Sequence, residues 1–182
     1  MTAGHRSIAS TWGSTPAERL AYFPCDRYLP RADGAYFRAV DVLAPTAVVF
    51  RWLCQLKVAP YSYDWLDNGG RRSPRELTPG LEQLARGQRV MGIFELVEFA
   101  PDRHLTLVLA SPRARAIYGD IAVSYVARPE TERSCRLVAK LLVRYPARGP
   151  WSGMRRLLPW GDLLMMRKQL LTLKQLAERQ VR

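Results

Sequence analysis

The sequence predicts an α+β fold in which a curved antiparallel sheet wraps around one long C-terminal helix and leaves an apolar cavity between them. Three observations carry this. The stretches Ile117 to Ala127 and Cys135 to Tyr145 alternate apolar and polar side chains, the period of strands with one face buried and one in water. Near the C-terminus Leu163, Met166, Leu170, Leu173 and Ala177 recur at spacings of three and four, an apolar stripe along a helix of roughly 30 Å. Between Val48 and Asn68 a helical apolar pattern runs into the aromatic turn Tyr61-Ser62-Tyr63-Asp64-Trp65. One helix covers a curved sheet along a line and leaves its ends open, and this third segment supplies a cap for one end.

In chain order, residues 1–35 are spotted with Pro, Gly and Ser and show no sustained period. They read as an irregular arm packed on the domain that follows, with one helical turn at Pro16 to Ala21 and with Tyr22, Phe23 and Tyr28 tucked inward. Residues 36–182 read as a single domain. Tyr36 to Leu43 is a strand carrying Arg38 and Asp41, and Pro45 then opens a helix from Thr46 to Lys57 that ends before Pro60. In that helix Val48, Val49, Trp52, Leu53 and Leu56 share a face. Asn68-Gly69-Gly70 is a turn, Arg71 to Arg75 a basic loop, and Pro74 to Arg86 a short helix interrupted at Pro79-Gly80. Val90 to Phe99 is a strand with a bulge expected at Gly92, and it pairs back through Leu105 to Ala110. The two alternating strands follow, then a loop from Pro146 to Trp160, then the stripe helix with Asp162 as its N-cap.

The 182 residues suffice for one domain with a real core. No apolar run is long enough to span a bilayer, and the opening residues lack the apolar core of a signal peptide. The expected location is therefore cytoplasmic, with peripheral membrane contact as a second possibility. Cys25, Cys54 and Cys135 are far apart and form no pair of ligand spacing, so no disulfide framework is expected. The net charge of +12 is concentrated late: Arg144 to Arg182 hold nine basic residues against two acidic ones. Within that region Arg148, Trp151, Arg155, Arg156 and Trp160 have the composition of an interfacial anchor for an anionic membrane. No recognition motif or stacking platform for nucleic acid accompanies the charge, so nucleic acid is not expected as a partner.

Several of these words resemble the START-like superfamily, the helix-grip (SRPBCC) proteins, and within it the polyketide cyclase/dehydrase and lipid-transport-type domains. The resemblance is carried by Thr11-Trp12-Gly13-Ser14-Thr15, by Ala44-Pro45 opening Val49 to Leu56, by Tyr61 to Asn68, and by Leu171-Thr172-Leu173-Lys174, and it spans residues 11–180. The chain departs from that pattern at Cys25, where relatives carry Gly, at the shorter Lys57 to Pro60 loop, and at Gln88. The resemblance implies a helix-grip fold and a cavity for a small hydrophobic or aromatic ligand of lipid, quinone or polyketide type. It leaves open whether the chain is an enzyme.

A ligand in such a cavity is expected to meet Trp52, Tyr61, Tyr63 and Trp65 from the cap. Phe94, Leu107, Leu109, Tyr125 and Tyr145 are expected from the sheet, and Met166 and Leu170 from the long helix. If a cyclase- or dehydratase-type proton transfer takes place, Glu95 and Tyr63 are the expected catalytic groups, with Tyr61, Asp64, Tyr125 and Tyr145 as further candidates. Glu95 faces inward if Ile93, Val97 and Phe99 do; Phe94 and Leu96 compete for that face. His5 and His104 lack partners at ligand spacing, so neither a metal nor a cofactor is expected. No nucleophile elbow, P-loop or dinucleotide fingerprint is present. The alternative function is a non-enzymatic interaction module at an anionic membrane surface.

Overall fold

The computed structural model describes residues 7–63, 65, 69–146 and 154–182, with the Met154 side chain left out. His5, Asp64, Leu66 to Asn68, Arg148 and Trp151, all named above, lie outside the described residues. Six strands form one antiparallel sheet: β1 (Gly34–Val42), β2 (Arg89–Val90), β3 (Phe94–Ala100), β4 (His104–Leu109), β5 (Asp120–Thr131) and β6 (Ser134–Arg144). Their order is β1-β6-β5-β4-β3-β2. Among the described residues the helices are α1 (Ile8–Thr11), α2 (Pro16–Leu20), α3 (Cys25–Tyr28), α4 (Thr46–Cys54), α5 (Pro112–Tyr118) and α6 (Met154–Gln180). A 3₁₀ turn, Gln55–Lys57, continues α4.

The alternation seen in sequence sets the two faces. Leu137, Ala139, Leu141 and Val143 of β6 and Ile121, Val123 and Tyr125 of β5 join the core beneath α6 and α4. The long helix packs against β1 and α4, with Met166, Leu170, Leu173 and Ala177 buried at the spacing expected for its apolar stripe.

The opposite face was expected to be wet and is not. Phe23, Cys25 and Leu29 pack there against Phe37, Ala39, Ala122, Val138 and Leu142. The polar groups beneath them are satisfied: Ser124 Oγ accepts the Cys25 N–H at 2.8 Å and pairs with Thr106 Oγ1 at 2.8 Å. Lys140 reaches Asp26 at 2.6 Å and lies over the rings of Phe23 and Phe37. Polar residues on a strand's outward face can be buried when the covering segment brings their partners with it.

Residues 12–20 fasten this cover. Gly13 has φ +74°, and a Cβ there would meet the Ala39 carbonyl oxygen at 2.1 Å, so only Gly allows the approach. The Ala39 N–H donates to the Trp12 carbonyl at 3.1 Å. Thr15 and Glu18 form a capping box around Pro16. Glu18 also takes Arg136 at 2.8 Å, and Arg136 reaches Asp41 at 2.6 Å and the Gly13 carbonyl at 2.5 Å.

Four expectations are corrected. Ile117 belongs to α5 and not to a strand: the Ser111 side chain caps the helix, Pro112 occupies its first turn, and Gly119 ends it at φ +82°. The strand expected from Val90 to Phe99 breaks at Met91 and Gly92, both at positive φ, and its register shift falls between Leu96 and Glu98. Pro74 to Arg86 forms turns and no helix. Asp162 is not an N-cap, because α6 begins at Met154 and continues through Pro159. An Asp ahead of an apolar stripe looks like a cap in sequence; here it points into the protein.

Candidate functional site

A cavity of about 320 Å³ lies between α6 and the sheet. Phe94, Val123, Tyr125 and Leu141 form its floor; Asp162, Met165, Met166 and Gln169 descend from α6; Pro60, Ser62, Met91 and Ile93 complete the wall. The register explains the floor, since Val123 stands opposite Leu141 and both project toward the helix. The roof follows from helical spacing, because Asp162, Met166 and Gln169 are four and three residues apart. Three methionine side chains give it a soft, polarizable wall.

Two polar systems enter this apolar space. In the first, Gln169 Nε2 donates to the Pro60 carbonyl at 2.6 Å, and the Tyr125 hydroxyl donates to Gln169 Oε1 at 2.7 Å. Burial pushes the Tyr125 phenol far above its ordinary range, so it remains neutral. In the second, Asp162 Oδ2 pairs with Arg38 Nη2 at 2.7 Å, with the two side chains 7% and 1% exposed. Burial raises the Asp162 carboxyl to about 6, a rise that Arg38 opposes but does not cancel. Arg38 comes from the inner face of β1 and is held by the carbonyls of Ala9, Phe37 and Pro159 at 2.7, 2.9 and 3.3 Å. Its Nε is buried with no hydrogen-bond partner among the described residues. Behind it the hydroxyls of Tyr36 and Tyr145 are hydrogen-bonded to each other.

Of the residues expected to line the site, Phe94, Tyr125 and Met166 do so. The others are placed elsewhere. Leu107, Leu109 and Leu170 are core residues without a share of the cavity wall. Tyr145 is buried against Tyr36. Trp52 packs edge-on against Tyr61 and donates to Gln180 Oε1 at 2.9 Å. Tyr61, at φ +57°, is buried in the core. Tyr63 is half-buried and outside the wall. Trp65 is 74% exposed.

Glu95 is a correction. Phe94 and Leu96 take the inner face, opposite Leu109 and Leu107, and Glu95 stands opposite Val108 on the other side of the sheet. The chain re-enters the strand at Phe94 after the turn at Gly92, and that sets the parity. The carboxyl that reaches the cavity is Asp162, on a different element. The signal for it was thin: a lone acid between Leu163 and Gly161, inside a stretch otherwise rich in Leu, Met and Arg. Gln169 and Met165 were equally unmarked.

Among the basic and aromatic residues placed at a surface, Arg155 lies over the Tyr145 ring and pairs with Asp33 at 3.6 Å, and Arg156 is exposed. Leu157, Trp160 and Leu164, three and four residues apart on α6, are 67%, 54% and 59% exposed. No helix of the described residues is long and apolar enough to cross a membrane. The three cysteines are buried free thiols, each pushed upward by burial, to about 11, 12 and 11 for Cys25, Cys54 and Cys135. Among the described residues no group of three His, Cys, Asp or Glu side chains is placed to hold a metal.

The same arrangement of sheet and helix recurs in solved structures. A Thermobifida fusca protein determined in solution matches with a TM-score of 0.56 at 17% identity, over 80% of this chain and 93% of that one. The di-domain ARO/CYC protein BexL matches with a TM-score of 0.51 at 13% identity, over 79% of this chain and 46% of BexL. The Zhui aromatase/cyclase of a Streptomyces species gives 0.47 at 15% identity, over 81% and 95%. No family model and no curated protein matches the sequence. Sheet and long helix together make a helix-grip fold.

Proposed function

We infer that this chain binds a small hydrophobic or aromatic molecule in the cavity between α6 and the sheet. The observation that carries the reading is the cavity itself, about 320 Å³ of mostly apolar wall into which a few convergent polar groups project. That size falls within the range of roughly 300–1,000 Å³ found for small-molecule sites. A cyclase- or dehydratase-type proton transfer is the enzymatic form of the reading. The group equipped for it is Asp162, since a carboxyl near 6 populates both its forms close to neutral pH. Tyr125, on the same wall, would orient the ligand. The test is extraction of purified protein followed by mass spectrometry, together with melting curves against lipids, quinones and aromatic polyketides. A bound apolar species, or a raised Tm with one of these classes, is expected. Protein that carries nothing and is stabilised by none of them overturns it.

A second reading is favoured by the exposed Leu157, Trp160 and Leu164 beside Arg155 and Arg156. An apolar stripe flanked by basic residues suits the interface of an anionic bilayer. Flotation with vesicles of acidic and of neutral lipid decides it: retention by acidic vesicles alone is expected, and retention by neither removes it.

A further inference from the structure

The polar groups of the cavity have a direction. The Pro60 carbonyl can only accept, so the Gln169 amide nitrogen must face it, at 2.6 Å; the reversed amide would set oxygen against oxygen. The second N–H of that amide is directed at the Met91 sulfur, 3.4 Å away. Gln169 Oε1 is therefore an acceptor, and the Tyr125 hydroxyl spends its one proton on it at 2.7 Å. What Tyr125 offers the cavity is lone-pair density and no proton.

Asp162 acts in the same sense. Among the described residues only Arg38 hydrogen-bonds its carboxylate, and it does so at Oδ2. The other Arg38 hydrogen bonds go to the carbonyls of Ala9, Phe37 and Pro159. The methionine sulfurs are weak acceptors. Ser62 adds a second hydroxyl to the lining beside that of Tyr125. Among the described residues, the side chains lining the site therefore present mainly acceptors in an apolar wall, and Arg38, whose Nε is unpartnered, stands behind Asp162 and outside that lining.

We propose that the cavity selects a compact ring compound bearing a hydroxyl donor, a phenol-type ligand, over the same ring with that hydroxyl capped as an ether or replaced by a carboxylate. This deepens the ligand-binding reading above and rests on it. A donor answers the desolvated acceptors of Tyr125 and Asp162, which an ether leaves unanswered. A carboxylate would stand beside Asp162 as a like charge in an apolar enclosure, where both are poorly solvated.

The test uses the full chain with methyl-labelled methionine, because Met91, Met165 and Met166 line the cavity and report on occupancy there. At about pH 7.5, where a carboxyl near 6 is ionised, the protein is titrated with 2-naphthol, 2-methoxynaphthalene and 2-naphthoate. Naphthol is expected to bind roughly tenfold more tightly than the ether, the worth of a hydrogen bond to a buried or charged acceptor, and naphthoate is expected to bind most weakly. Equal affinity for naphthol and the ether, or tightest binding of naphthoate, overturns the proposal while leaving the cavity as a ligand site. No shift with any of the three overturns the ligand site and this proposal together. Tyr125→Phe and Asp162→Asn each remove one acceptor, and at least one must bring the naphthol-to-ether ratio toward unity; if neither does, the donor rule is wrong. Should both variants fail to fold, the series on the unaltered chain decides alone.

Discussion

The two faces of the sheet are covered in different ways. Over the inner face lies α6, a regular rod, and a rod on a curved surface leaves space at its side: the cavity at Tyr125 and Leu141. Over the outer face lies an irregular ribbon, residues 13–33, which follows the curvature and sets Phe23, Cys25 and Leu29 into it. Each cover brings an acid to a cation standing on the sheet. The inner pair, Arg38 and Asp162, is 1% and 7% exposed; the outer pair, Lys140 and Asp26, is 10% and 26% exposed. Regular structure creates the hollow and irregular structure closes the other side.

The contrast is broken most directly at the two cations. Arg38→Ala leaves the Asp162 carboxyl buried and unpaired and is expected to cost about 3–5 kcal/mol in urea unfolding. Lys140→Ala, at the better-hydrated pair, is expected to cost about 1 kcal/mol, part of it from the packing of its stem. Equal losses would mean that the two covers are energetically alike.

A smaller effect sharpens the same comparison with one substitution placed on each face. Val138→Phe overfills the closed outer side and is expected to cost about 1–3 kcal/mol. Val123→Phe enters the hollow, so it is expected to cost under about 1 kcal/mol while abolishing ligand-induced shifts of the Met166 methyl. Comparable destabilisation by both would show the cavity to be closed in solution.

How far the sequence led follows the same division. Period-2 alternation placed Leu137, Ala139 and Leu141 on one face and Lys140 on the other, and the helical stripe placed Met166 and Leu170 under the sheet. Tyr125 and Met166 were placed on the cavity side by those same periods, whereas Phe94 was named together with its neighbour Glu95, although strand parity allows only one of the two to face inward. Glu95 was misplaced because one turn at Met91-Gly92 sets the parity of the strand, and parity is all-or-none. Asp162 was misread because its partner Arg38 lies far off in the chain, and no local pattern marks an ion pair closed by tertiary packing. The covered outer face was missed for the same reason: Lys140 reads as solvated until Asp26 is seen beside it.

A further predicted effect is on pH dependence, and the two faces differ in sign. Asp162 has its folded value raised from 3.8 to about 6, chiefly by burial. Between these values the folded state holds more protons than the unfolded one, so its contribution to stability falls as pH rises through that window. Glu18 on the outer face is also desolvated, but Arg136 and the Thr15 amide outweigh that and hold it below its ordinary 4.5. Its contribution is present above that value and is lost as pH falls through the lower folded one. Urea unfolding from about pH 3 to 8 should flatten between about 4 and 6 in Asp162→Asn, and on the acid side in Glu18→Gln. Unchanged profiles in both variants would remove the assignment.

The Trp12 carbonyl has a consequence beyond fastening the ribbon. By taking the Ala39 N–H it occupies the free margin of β1, and Gly13 presses against the same residue. The opposite margin of the sheet is β2, only two residues long. A blocked N–H in the middle of one margin and a very short strand at the other both work against edge-to-edge pairing with a neighbouring molecule.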